Sequence, residues 1–299
     1  MQKLFFLVSF FLLGQAFAEL KPSQFINFNG KKIAVYKSKG HHGPGVLLIH
    51  GNTSSANIFE KVLESSYGRK QKLVAIDLPG YGRSENASSY NGAYFAQAIA
   101  FAVNTLKLNR GVVVGWSLGG DFALQASALL PHVKGYFLFG TSPVGVDPAL
   151  PAPFLSPTES YAGAAVNVGF VPNMNPEQIT AYVTAFFRPH FSPIPQTFVN
   201  DGLRTDPGTR AAVFAAATGQ DPTFQDEIAI IRNLAVSVAL VAGKKDAFVN
   251  PNFLNQLAPS IPNLYTDKII FVNNTGHAVQ WERPAQFVQL LKQFVESID

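Results

Sequence analysis

The chain has 299 residues, with 23 Lys and Arg against 19 Asp and Glu for a net charge of +4. So small an excess, spread without runs, argues against a nucleic-acid or membrane-surface partner. Cysteine is missing altogether, which excludes disulfides, thiolate metal sites and cysteine nucleophiles, so the core must hold by packing.

Lys3, the apolar stretch 4–13 and Ala16-Phe17-Ala18 have the form of an export signal ending in a small-x-small cleavage site. The apolar stretch is shorter than the roughly 20 residues that a membrane span needs. No cysteine follows to carry a lipid anchor. Residues 1–18 are therefore expected to be removed, leaving a soluble exported protein, periplasmic or secreted, that begins at Glu19. An uncleaved anchor is the alternative.

The next elements read in order. Residues 25–28 and 32–36 alternate apolar and polar side chains around Asn29-Gly30, a two-residue hairpin signal. After it come short continuous apolar runs at 46–49, 73–76, 112–114, 136–139, 236–241 and 269–272. Such runs suit strands buried on both faces of a parallel sheet with helices on each side. Phe95, Ile99, Ala102, Val103 and Leu106 form one helical face before the run 112–114. Residues 121–130 read as a helix stopped by Pro131, and Phe287, Leu290, Leu291 and Phe294 mark a last helix entered after Pro284. The expected fold is α/β, with one domain made of 19–142 and 208–299.

The segment 143–207 breaks this rhythm. It holds eleven of the twenty prolines, which forbids long helices or central strands. We read it as a lid inserted over the catalytic end of the sheet. Phe154, Tyr161, Phe170, Tyr182, Phe186, Phe187 and Phe191 make it aromatic; some are expected to line an apolar acyl pocket and most to pack the lid down.

Gly115-Trp116-Ser117-Leu118-Gly119 follows the run 112–114 and precedes a helix. A G-x-S-x-G joining a strand to a helix resembles the nucleophile elbow of the α/β-hydrolases, where a tight turn admits only small residues two positions either side of the serine. A serine hydroxyl needs a base, and the base an acid to orient it. In that superfamily the chain order is serine, acid, histidine. His277, in Asn273-Asn274-Thr275-Gly276-His277, is the histidine beyond the last strand. Asp246, after the run 236–241, is the expected acid, with Asp147 the alternative. Backbone N–H groups of Leu118 and of Asn52, in His50-Gly51-Asn52-Thr53-Ser54-Ser55, are the expected oxyanion donors. His50 is expected to brace that loop. Asp77-Leu78-Pro79-Gly80-Tyr81-Gly82-Arg83-Ser84 resembles the superfamily's D-x-P-G-x-G-x-S loop, with a structural role.

Four segments, HGNTSS, GWSLGG, GKKDAFV and NNTGHA, together resemble the N-acyl-homoserine lactonases of this fold. The resemblance implies metal-independent opening of a lactone ring, no cofactor, and a lid tyrosine near the lactone, here Tyr182. Trp116, beside the serine, is a second candidate for substrate contact. The acid departs from the pattern, being Asp where the resemblance implies Glu, and the export signal puts a cytoplasmic setting in doubt. Ser117 excludes the haloalkane dehalogenase and epoxide hydrolase branches, which need an aspartate at the elbow. No H-x-H-x-D-H metal pattern is present. The expected partner is a small ester or lactone with an apolar acyl group. A general carboxylesterase, a carbon–carbon bond hydrolase, a perhydrolase and a non-catalytic binder of a hydrophobic signal are the other readings.

Overall fold

The computed structural model describes residues 19–298; the expected export signal lies outside them. Eight strands form one sheet: β1 (Gln24–Phe28), β2 (Lys31–Lys37), β3 (His42–Ile49), β4 (Gln71–Ile76), β5 (Val112–Trp116), β6 (Gly135–Phe139), β7 (Ser237–Gly243) and β8 (Ile270–Val272). Their order is β1-β2-β4-β3-β5-β6-β7-β8. β2 runs antiparallel to both β1 and β4, and every other pair is parallel. The hairpin turn has positive φ at both Asn29 (51°) and Gly30 (77°), the geometry whose twist matches the flanking strands.

The runs 46–49, 73–76, 112–114 and 136–139 are buried on both faces, whereas Ile270 and Phe271 of the edge strand β8 are half-buried; the strand period of two divides the buried runs. Leu47, Ile49, Val113 and Leu138 pack with Phe95, Ile99 and Val103 of the helix Gly92–Thr105. Their neighbours Val46, Leu48, Val114 and Phe139 pack with Phe287, Leu291 and Phe294 of the helix Pro284–Ser297. Ring contacts tie the layers together: Phe95 stacks on Phe122 at 4.3 Å, and Phe139 meets Phe287 edge-on at 4.7 Å. Burying each such ring stabilises by about 1.5–3 kcal/mol, which is how a chain without disulfides holds its core.

Two elements differ from the sequence expectation. The helix after the elbow spans Leu118–Gln125, capped by Ser117, and passes into a 3-10 turn at Ser127–Leu129 rather than continuing to residue 130. β3 begins earlier than the apolar run, at His42, and its pairing with β4 shifts register between His42 and Val46. That irregularity accommodates Pro44, which has no N–H for a regular ladder.

Between β6 and β7 the chain forms five short helices: Ala165–Val168, Pro176–Thr184, Gln196–Arg204, Pro207–Ala217 and Glu227–Asn233. Pro176 and Pro207 occupy first turns, where a missing N–H costs nothing. Three loops at the carboxyl end of the sheet tie this segment down. Asn52 Nδ2, after β3, donates to the Gly169 carbonyl at 2.7 Å. Leu155 N–H donates to the Phe248 carbonyl, after β7, at 2.7 Å. Ala278 N–H, after β8, donates to the Phe186 carbonyl at 2.7 Å.

Candidate active site

β5 hands directly to the helix Leu118–Gln125 at Ser117, whose φ of 52° and ψ of −129° lie in a strained region for a non-glycine residue. Such a conformation costs on the order of 1–3 kcal/mol and persists only where its surroundings impose it. They do so here. A Cβ at Gly115 would lie 2.3 Å from the Gly120 Cα, and one at Gly119 would lie 2.4 Å from the His50 carbonyl oxygen. The loop after β3 also presses close, since a Cβ at Gly51 would meet the Ser117 Cβ at 2.9 Å.

His277 and Asp246 come together from separate loops. The His277 Nδ1–H donates to Asp246 Oδ2 at 2.8 Å, and their side chains are 3% and 4% exposed. Asp246 Oδ1 accepts from the Phe248 N–H at 2.8 Å and the Val249 N–H at 3.2 Å, which fixes the carboxylate. The imidazole lies between Phe248 (4.6 Å between ring centres), Trp116 (5.3 Å) and Phe186 (6.2 Å). Its backbone is held too: the His277 carbonyl accepts from Trp116 Nε1 at 3.0 Å. With Nδ1 engaged, Nε2 is the nitrogen left for chemistry.

Asn52, Ser117, Leu118 and Tyr182 line one cavity, with Phe154, Val166, Phe170, Val213 and Phe248 supplying apolar wall. Among the described residues, no loop or cap hydrogen bond engages the backbone N–H of Asn52 or Leu118. Tyr182 is 6% exposed, and its ring meets Phe186 at 5.2 Å and Phe248 at 5.4 Å. Burial pushes its phenol up, with hydrogen bonding to the Asn52 side chain a partial offset.

The bracing residues are spent on backbone groups and on neighbouring side chains. Fully buried His50 donates from Nδ1 to the Gly51 carbonyl at 2.8 Å and accepts the Leu78 N–H on Nε2 at 3.0 Å. Burial lowers it to about 4, so the neutral ring is the working form. Asp77 takes the Ala56 N–H (2.7 Å), the Arg83 N–H (2.8 Å) and the Tyr36 hydroxyl (2.7 Å), tying the end of β4 to the loop after β3. Asp201 takes the Ser55 hydroxyl at 2.6 Å and the Asn57 amide, locking the same loop to the helix Gln196–Arg204.

Other candidates lie elsewhere. Trp116 is buried behind the site, holding His277, and is not part of the cavity wall. Its parity with Val112 and Val114 along β5 was the available signal. Asp147 pairs with Arg232 at 2.7 Å, which holds its carboxyl below the usual range, and it makes no contact with His277. Tyr161 and Phe191 line a separate surface groove. Sequence reasoning missed Phe248, which both walls the cavity and packs on His277, and it missed Asp121 in the cavity wall.

The sheet order, the tight strand-to-helix turn at Ser117 after β5, and the hydrogen-bonded Asp246 and His277 after β7 and β8 are the arrangement expected of the α/β-hydrolase class. Residues 44–284 match the family model of the alpha/beta hydrolase fold, and the chain belongs to that family. It is 37% identical over 103 residues to a pimeloyl-[acyl-carrier protein] methyl ester esterase of Xanthomonas oryzae, a match covering 34% of this chain and 38% of that relative. The chain thus spans well under half the length of the curated relatives it matches first. A longer match, 22% identical over 262 residues, joins 86% of this chain to 93% of the AB hydrolase superfamily protein YisY of Bacillus subtilis. Among solved structures, the N-acyl homoserine lactonase AidH complexed with N-butanoyl homoserine aligns with a TM-score of 0.82 at 28% identity, covering 92% of this chain and 96% of that one. An esterase from Exiguobacterium antarcticum aligns with a TM-score of 0.73 at 23% identity, covering 91% and 98%.

Proposed function

We propose that this chain is a serine hydrolase that cleaves a carboxylic ester or lactone through an acyl-enzyme. Ser117 Oγ attacks the carbonyl carbon as its proton passes to His277 Nε2, while Asp246 orients the imidazole and stabilises the imidazolium. The carbonyl oxygen, now an oxyanion, takes the N–H groups of Leu118 and Asn52. Each such donor is worth roughly 3–4 kcal/mol in the transition state. Collapse returns the oxygen to a carbonyl and expels the alkoxide, which takes the proton from Nε2. In a lactone that hydroxyl stays tethered to the acyl group. Water, deprotonated by His277, then releases the carboxylic acid and restores Ser117. The observation carrying this reading is the His277–Asp246 hydrogen bond, with the His277 carbonyl held by Trp116, the chain neighbour of a strained serine that lines an apolar cavity.

The substrate we favour is an N-acyl-homoserine lactone, with the segment 143–207 as the lid over the acyl chain. The likeness to AidH supports it, as does Tyr182, which lines the cavity. The identity to a methyl ester esterase over 103 residues favours a second reading, a general carboxylesterase. Parallel rates on N-hexanoyl homoserine lactone and p-nitrophenyl hexanoate, each with a Ser117→Ala control, separate them. Lactone opening well above the buffer rate is expected. Rapid ester turnover with lactone opening at the buffer rate would discard the lactonase reading and keep the hydrolase.

A further inference from the structure

The cavity wall contains a titratable pair that the mechanism above does not use. Asp121 lines the cavity one turn along the helix from Ser117 and is 8% exposed. Its carboxyl faces that of fully buried Glu227, at the start of the helix Glu227–Asn233, closely enough to share a proton with it. Glu227 already receives an N–H on each oxygen: Gln125 Nε2 on Oε1 at 3.1 Å and the Val144 N–H on Oε2 at 2.9 Å. The orientation of Gln125 is fixed, because its own Oε1 accepts the Gln225 N–H at 2.8 Å. Asp121 is treated differently. Among the described residues no N–H or O–H reaches its buried Oδ1.

Two facing carboxyls in so dry a place do not both ionise. Burial and mutual repulsion push both upward, so the pair keeps at least one proton at neutral pH. Since Glu227 is occupied by two N–H donors, the bridging proton belongs to Asp121 and points at Glu227. Asp121 is then left with acceptor capacity and no protein donor, in a wall that also holds Val144, Phe170, Val213 and Phe224. With Oδ1 sealed on the inner side, the oxygen that faces the cavity can accept from a donor brought by the substrate, and leaving it dry beneath an apolar substrate is unfavourable.

We propose that Asp121, held in place by Glu227, is a specificity-determining contact that accepts a hydrogen bond from an N–H or O–H of the substrate. Residues four apart on a helix share a face and are offset by about 6 Å along its axis. The donor therefore belongs close to the carbonyl that Ser117 attacks, as in a lactone or ester carrying an acylated amine beside that carbonyl. A simple alkyl ester leaves Asp121 unsatisfied. The proposal rests on Ser117 being the nucleophile; Glu227 acts through Asp121 and is a positioning residue.

The test uses three lactones with the same hexanoyl chain, attached through N–H, through N-methyl or through an ester oxygen. The wild type is expected to favour the N–H lactone by at least about tenfold in kcat/KM. Asp121→Ala should bring the three within about twofold. Asp121→Asn, which can turn its NH2 to Glu227 and keep a carbonyl acceptor, should retain most of the preference. Glu227→Gln should weaken it through KM more than kcat. Equal wild-type rates on the three lactones would overturn the proposal without any variant, and so would a preference that survives Asp121→Ala. Turnover unchanged in Ser117→Ala would instead overturn the hydrolase reading, and the proposal with it.

Discussion

His277 Nδ1 lies 2.8 Å from Asp246 Oδ2, with both side chains all but sealed from water. A hydrogen bond so placed fixes which nitrogen carries the proton and leaves Nε2 free to act as the proposed base. Asp246→Asn keeps the shape but offers an amide that favours the wrong tautomer. Its kcat should fall by about 10⁴-fold with the fold intact. Steady-state kinetics beside circular dichroism check this; near wild-type turnover would remove Asp246 from the mechanism.

Gly51→Ala tests how closely the loop after β3 must approach. Its Cβ would lie 2.9 Å from the Ser117 Cβ and 3.1 Å from the Trp116 carbonyl oxygen, so the loop must retreat and carry the Asn52 N–H with it. Loss of one oxyanion donor lowers kcat by about 10²–10³-fold. Burst kinetics with an activated ester should show slow acylation while the melting temperature drops only modestly. Unchanged kcat would mean that Asn52 supplies no donor.

Trp116→Phe separates a bracing role from substrate contact. The indole N–H donates to the His277 carbonyl at 3.0 Å, and such a bond is worth about 0.5–1.5 kcal/mol net. The expected result is a kcat three- to tenfold lower with KM little altered across substrates. A KM change that depends on acyl-chain length would put Trp116 in the acyl pocket instead.

Stability should depend on pH through two buried features of opposite sense. Burial raises the Asp121 and Glu227 carboxyls, Glu227 to about 8, so the folded chain keeps a proton that the unfolded chain gives up. That stabilisation is complete in acid, and the Glu227 part of it is lost as pH rises through about 8. His50 is lowered from 6.5 to about 4. Its stabilisation is present above 6.5 and is lost as pH falls through 4. Between about 4.5 and 6.5 the two oppose each other; above 6.5 the pair alone acts. Unfolding free energy should then fall by about 1.4 kcal/mol per pH unit per proton retained. Denaturant melts of wild type and Glu227→Gln from pH 6.5 to 8 check this, with the variant's slope expected to flatten. Equal slopes would show that the pair does not hold the proton.

Much of this was legible because strong local signals coincide with long-range ones. The runs 46–49 and 112–114 are apolar on both parities, which only a sheet covered on both faces needs, and both are buried strands. The elbow announces itself through Gly115 and Gly119, whose missing side chains the structure requires. Asp246 and His277 stand out by their places after β7 and β8, and the two side chains are hydrogen-bonded there; their catalytic role is the reading proposed above. What was hidden depends on packing between distant elements. Asp121 and Glu227 are far apart in sequence, and each reads there as an ordinary acid near a helix start. Only the approach of two helices, which encloses both carboxyls, turns them into a pair. Trp116 was misleading for a related reason: adjacency to Ser117 along a strand places its side chain behind the sheet's working edge.

The central claim is that Ser117 is the nucleophile. Intact-protein mass spectrometry after exposure to a fluorophosphonate tests it most directly, with wild type and Ser117→Ala side by side. One adduct per wild-type chain is expected, mapped to Ser117 and prevented by prior denaturation, and none on the variant. An unlabelled folded wild type, or equal labelling of Ser117→Ala, would contradict it.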